Sequence, residues 1–211
     1  MAYINMAHSM NITCFEVPFS SHGTEEDLPI GEIFSVHAPK DLLERNIASM
    51  PGSLSELKAF CEKVQCSRIV FHPNPDIETD DHCFKVISEL LPGFVICMEN
   101  TISGLDELVS LLSVYGFRIT WDVAHAAFHR HEVCNVIDMV EYFHVRGFSE
   151  GRRYITLKHS EKDGIIPYKE NVVYMLEYPY ENMYELLMDW KFLNQEGDML
   201  YAGRKTGCAV L

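Results

Sequence analysis

Short apolar runs that stop on an ionisable side chain recur along the chain. Ile33-Phe34-Ser35-Val36 stops at His37, Arg68-Ile69-Val70-Phe71 at His72, Phe94-Val95-Ile96-Cys97-Met98 at Glu99, and Phe117-Arg118-Ile119-Thr120-Trp121 at Asp122. Farther on, Tyr154-Ile155-Thr156-Leu157-Lys158 stops at His159 and Val172-Val173-Tyr174-Met175-Leu176 at Glu177. Runs of this length predict strands buried on both faces, as in parallel sheets. Between them, apolar positions recur at helical spacing over Ser53 to Gln65, with Ser53 as N-cap and Glu56 completing a capping box. Further helices are predicted from about Asp80 to Leu91, ended by Pro92-Gly93, from Leu105 to Tyr115, ended by Gly116, from Val133 to Val145, and from Glu181 to Leu193.

Strand and helix in alternation predict an α/β fold, a small (β/α)8 TIM barrel forming one domain over residues 1–211. Two units read as abbreviated. Ala2 to Ala7 and Asn11 to Val17 are candidate strands too close for a crossover helix. Ser160 to Asn171, broken by Gly164 and Pro167, holds no regular helix before the last predicted strand. Ser20 to Gly31 reads as a loop over the mouth, and Glu196 to Leu211 shows no pattern that places it.

Composition narrows the function classes. An apolar fraction of 47% is enough for a core. A net charge of −14 argues against nucleic acid as the partner, because duplex binders carry a basic face. Seven cysteines without CxxC spacing, several within apolar runs, fit a reducing cytoplasm better than a disulfide framework. No run is long and apolar enough to span a membrane, and Met1 to Met10 lacks the pattern of a signal peptide. Reduced units would leave apolar barrel surface that a homodimer covers.

Strand ends of a parallel barrel face one mouth, so His37, His72, Glu99, Asp122, His159 and Glu177 are expected to converge. Imidazole and carboxylate together suit Mn²⁺, Zn²⁺, Co²⁺ or Fe²⁺, one or two per chain. Such a cation polarises a hydroxy-carbonyl substrate, and Glu99 and Glu177 on separated strands then serve as base and acid for proton transfer. His125 follows Asp122 in a D-x-x-H that places a second ligand type just beyond the strand end and is a candidate for the site. So are Asn100, which orients a ligand or caps the following turn, and Trp121, an apolar wall or a core residue.

Ser35-Val36-His37-Ala38-Pro39, Phe71-His72-Pro73, Met98-Glu99-Asn100-Thr101, Trp121-Asp122-Val123-Ala124-His125-Ala126 and Leu176-Glu177 resemble, in order, the strand-end motifs of the xylose isomerase-like TIM-barrel superfamily. That superfamily includes sugar isomerases and epimerases and the endonuclease IV family. The resemblance implies that His37 and His72 share a metal with Glu99. It implies a main metal site of Glu99, Asp122, Glu177 and a histidine of the seventh strand. One alignment makes that ligand His159; a shifted one puts Thr156 there, with His159 replacing a nearby Asp. Ligand chemistry favours His159. His125 resembles the histidine that holds a further metal in the nuclease branch and faces substrate in the isomerase branch. The D-x-H pair of a third nuclease metal has no counterpart after Asp163. The function implied is metal-dependent isomerisation or epimerisation of a small carbohydrate. The alternatives are endonuclease IV-like phosphoester hydrolysis and, from the abbreviated units, a non-catalytic ligand-binding barrel.

Overall fold

The computed structural model describes residues 7–9, 12, 14–19, 28, 30–43, 49–74, 76–149, 152–155, 169–178, 183–195 and 207–210. Its strands are β1 (Cys14–Pro18), β2 (Ile33–His37), β3 (Arg68–Phe71), β4 (Val95–Glu99), β5 (Arg118–Asp122), β6 (Val140–Val145), β7 (Gly147–Ser149), β8 (Arg152–Ile155), β9 (Val173–Leu176) and β10 (Gly207–Val210). Eight of them close a parallel barrel in the order β1-β10-β9-β6-β5-β4-β3-β2, and β7 and β8 pair antiparallel outside it. This is the α/β barrel expected from the strand-helix alternation.

The inner and outer faces follow from the two-residue repeat of a strand. Val70, Cys97, Tyr142 and Met175 form an apolar layer inside the barrel. Their neighbours Ile69, Phe71, Ile96, Met98, Ile119, Trp121 and Phe143 join Leu54, Leu57, Phe84, Ile87, Leu108 and Leu112 of the surrounding helices in the main core. Each large apolar side chain buried there contributes about 1.5–3 kcal/mol. Two residues beyond the inner layer on the same strands stand His72, Glu99, His144 and Glu177. The inner apolar layer is thus a floor, and the next inward positions are polar.

Several predicted elements change. The helix expected from Ser53 runs Met50–Lys63, with Pro51 in its first turn; the fixed φ of proline suits that place, so the helix opens upstream and Ser53 caps nothing. Leu105–Tyr115 forms as predicted, and Gly116 ends it at a left-handed φ of 69°. The remaining predicted helices appear as Ile77–Leu90 and Met183–Gln195.

The helix expected over Val133 to Val145 does not form. Two 3-10 turns, Val133–Asn135 and Ile137–Met139, lead into β6, which pairs with β5 and β9. Val-Glu-Tyr-Phe-His-Val is rich in β-branched and aromatic residues, and pairing on both sides overrides the helical spacing before it. The run at Tyr154-Ile155 belongs to β8 of the outer hairpin rather than to a barrel strand, and 156–168, with His159 and Thr156, lie outside the described residues.

At the chain ends, residues 7–9 are helical where the candidate first strand was to finish, and 2–6 lie outside the described residues. The first barrel strand is the run that ends near Val17. The unplaced tail supplies β10, which closes the barrel between β9 and β1. Cys14 is disulfide-bonded, whereas Cys61, Cys66, Cys83, Cys97 and Cys134 are free, so the described cysteines include one bridged residue and form no disulfide framework. Among the described residues no helix is long and apolar enough to cross a membrane.

Candidate metal centre

Glu99 is the centre of the cluster. It closes β4, is 1% exposed, and its Oε2 lies 2.8 Å from His72 Nε2 and 3.3 Å from His37 Nε2. Its Oε1 lies 3.7 Å from His125 Nε2 and 3.8 Å from His144 Nδ1. Burial raises the Glu99 carboxyl, but the His72 charge and the imidazoles of His144 and His37 beside it outweigh it and hold the group well below its ordinary value. Burial alone lowers His37, and the Glu99 bond with the charges of Glu16 and Glu99 raises it above its ordinary value.

Asp122, at the end of β5, divides its carboxylate between two tasks. Oδ1 accepts the backbone N–H of His125 at 2.7 Å, capping the helix Val123–His129. Oδ2 accepts from Arg146 Nη2 at 3.2 Å, and Arg146 Nε donates to Glu177 Oε2 at 2.9 Å. The D-x-x-H spacing is therefore a helix cap that also turns His125 toward the cluster. Burial pushes Asp122 up, Arg146 opposing and Glu177 and Glu99 adding, to about 6. Burial likewise holds His125 below its ordinary value.

Two donor groups result, each with its ligand atoms within 4.8 Å of one another: His37, His72 and Glu99, and Glu99, Asp122, His144 and Glu177. They share Glu99. The donors suit a divalent transition-metal ion, and one observation favours such an ion over a purely structural cluster. His144 is fully buried, and its Nδ1, turned toward Glu99, has no hydrogen-bond partner among the described residues. A buried imidazole nitrogen is ordinarily satisfied, and a cation held by His144 with the three carboxylates would satisfy it.

Of the predicted ligands, the structure brings together His37, His72, Glu99, Asp122 and Glu177, with His125 beside them. His159 lies outside the described residues, and the imidazole in the carboxylate group is that of His144 on β6. Trp121 is no wall of the site: one residue before Asp122, it points the other way and is 2% exposed in the outer core. Asn100 is fully buried and spends both ends of its amide on the backbone of Asp122, accepting its N–H at 2.6 Å and donating to its carbonyl at 3.1 Å. It fixes the end of β5 rather than meeting a substrate.

Glu16, His144 and Arg146 were not singled out from the sequence. Tyr142 and His144 alternate along β6 and Arg146 follows one residue past its end, and that period of two was the available signal. Glu16 had none, being a lone carboxylate inside an apolar run.

No protein-family model matches the chain, and no curated protein matches it in sequence. Solved structures do match in fold. A crystal structure of the probable 3-DHS dehydratase AsbF, involved in petrobactin synthesis, from Bacillus anthracis superposes with a TM-score of 0.75 at 12% identity, over 92% of this chain and 93% of that one. SacUVDE gives a TM-score of 0.64 at 12% identity, over 93% and 84%. AsfvAP:AG gives 0.57 at 13% identity, over 99% and 81%. The likeness is one of fold, a closed parallel α/β barrel.

Proposed function

We propose that the chain is a divalent-metal-dependent enzyme that moves a proton at a carbon next to a carbonyl in a small, sugar-like hydroxy-carbonyl compound, as an isomerase, epimerase or dehydratase. The observation that carries this reading is the unequal exposure of the clustered carboxylates. The Glu177 side chain is 19% exposed, whereas those of Glu99 and Asp122 are 1% and 0% exposed. Glu177 thus reaches a substrate in the mouth and is the base. Glu99, buried and held ionised by imidazoles, serves as a ligand and is a poor proton donor, a narrower role than the acid-base partner expected of it. His125, its side chain 30% exposed and kept neutral by burial, donates or accepts at a substrate oxygen. A cation held by Glu99, Asp122, His144 and Glu177 supplies Lewis-acid polarisation of carbonyl and hydroxyl oxygens. The near-complete overlap with AsbF, a probable dehydratase, supports including loss of water among the outcomes of the same proton abstraction.

A second reading rests on the His37, His72 and Glu99 group. Two centres sharing one carboxylate suit in-line displacement at phosphorus, and that shared carboxylate supports the reading. One experiment separates the two. Protein loaded in turn with Mn²⁺, Zn²⁺, Co²⁺ and Fe²⁺ is incubated in deuterated buffer with ketoses, aldoses and 3-keto hydroxy acids, and in parallel with a phosphodiester and abasic-site DNA. Metal-dependent deuterium exchange that falls by about 10²- to 10⁴-fold in Glu177→Gln is the expected result. Phosphoester cleavage without any exchange overturns the first reading in favour of the second.

A further inference from the structure

Below the mouth, β1 contributes a charged side chain that the proposed chemistry does not use. Glu16 is fully buried. Ser35 Oγ donates to its Oε2 at 2.6 Å, and the Tyr142 hydroxyl donates to the same oxygen. The other oxygen, Oε1, lies 3.0 Å from His144 Nε2, off the hydrogen-bond axis, and neither of these two atoms has a hydrogen-bond partner among the described residues. His144 is thereby held between two carboxylates, with Nε2 toward Glu16 and Nδ1 toward Glu99.

We infer that Glu16 is a positioning residue for the candidate metal centre: it takes the Nε2–H of His144, so that Nδ1 of the same ring is the atom turned to Glu99, Asp122 and Glu177. The inference rests on the metal-centre reading of those four residues. An ionised carboxylate only accepts. With two hydroxyls committed to Oε2, the one donor Oε1 faces is the imidazole, which fixes the tautomer and the ring plane and makes Nδ1 a better ligand. The geometry explains why a charged residue stands on β1, where an apolar one would pack without cost. Tyr142 links the apolar floor to this support, since its ring belongs to the inner layer while its hydroxyl holds Glu16.

The test is Zn²⁺ affinity, read by competition with a chromophoric chelator, for wild type, Glu16→Gln, Tyr142→Phe and His144→Ala. It is joined to ¹⁵N–¹H ring spectra of the zinc-loaded protein, a signature that a merely structural role would not move. Glu16→Gln keeps the shape but loses the charge and presents an amide that can donate, so zinc affinity is expected to fall by about 10- to 100-fold. Tyr142→Phe is expected to weaken zinc binding less. Wild-type His144 is expected to carry its proton on Nε2, with Glu16→Gln altering that signal. Unchanged affinity and ring signal in Glu16→Gln, with affinity lost in His144→Ala, overturns the positioning role while leaving the metal centre standing. Unchanged affinity in His144→Ala overturns the metal-centre reading itself. Should Glu16→Gln fail to fold, Tyr142→Phe decides: wild-type affinity and ring signal there overturn the inference.

Discussion

Asp80 offers a direct check on the electrostatics of the frame, away from the candidate centre. It lies in the helix Ile77–Leu90 and is fully buried. Oδ1 accepts the Asn74 backbone N–H at 2.8 Å, while Oδ2 has no hydrogen-bond partner among the described residues. Burial pushes the carboxyl up from the ordinary 3.8 to about 7, the Asn74 bond opposing and Asp76 adding. A raised folded-state value means that the native protein holds the proton more tightly than the unfolded chain. The penalty is therefore absent below about pH 4, grows as pH rises toward 7 and is complete above it. A gap of about three pH units at about 1.4 kcal/mol each sets its size at about 4 kcal/mol, an upper figure because partial relaxation reduces it. Asp80→Asn keeps the acceptor for Asn74 and removes the charge. Its buried amide hydrogens cost about 1–3 kcal/mol, as the proton of the neutral acid also does. In chelator-treated protein, the melting temperature of Asp80→Asn should match wild type near pH 4.5. It should exceed wild type by up to roughly 8–16 °C at pH 8.5, at about 2–4 °C per kcal/mol for a chain of this length. Thermal melts by circular dichroism across that range read the difference. Parallel curves for the two proteins would refute the assignment of a raised value to Asp80.

Two further outcomes follow from the site and the core. Trp121→Phe should leave kcat/KM of the exchange reaction unchanged, whereas Trp121→Ala should destabilise by about 3–5 kcal/mol in urea unfolding; a selective loss of kcat/KM in Trp121→Phe would return that ring to the substrate wall. Arg146→Met should tighten Mn²⁺ binding by about tenfold in calorimetric titration, because the guanidinium competes for Asp122 and Glu177 through charge-assisted bonds worth about 1.5–3 kcal/mol each; unchanged or weaker binding would mean that Arg146 supports the centre rather than competing with the cation.

The sequence by itself determined the barrel and most of its mouth. Runs such as Arg68 to Phe71 and Val95 to Glu99 read as strands buried on both faces, and a parallel barrel sends their ends to one side. His37, His72, Glu99, Asp122 and Glu177 were legible for that reason, since each is the first ionisable residue after an apolar run. Tertiary structure decided what local pattern leaves open. Val140–Val145 became a strand because β5 and β9 offer hydrogen-bonding edges on both sides, and His144 entered the cluster with it. Gly207–Val210 closes the barrel although four residues are too few to show a period. Whether Trp121 or Asp122 faces inward depends on register, because a shift of one residue exchanges the two faces of a strand. Glu16 is the extreme case. Its place beneath His144 follows from bringing β1 and β6 together across the barrel, and no local sequence pattern encodes which side chains meet inside a closed sheet.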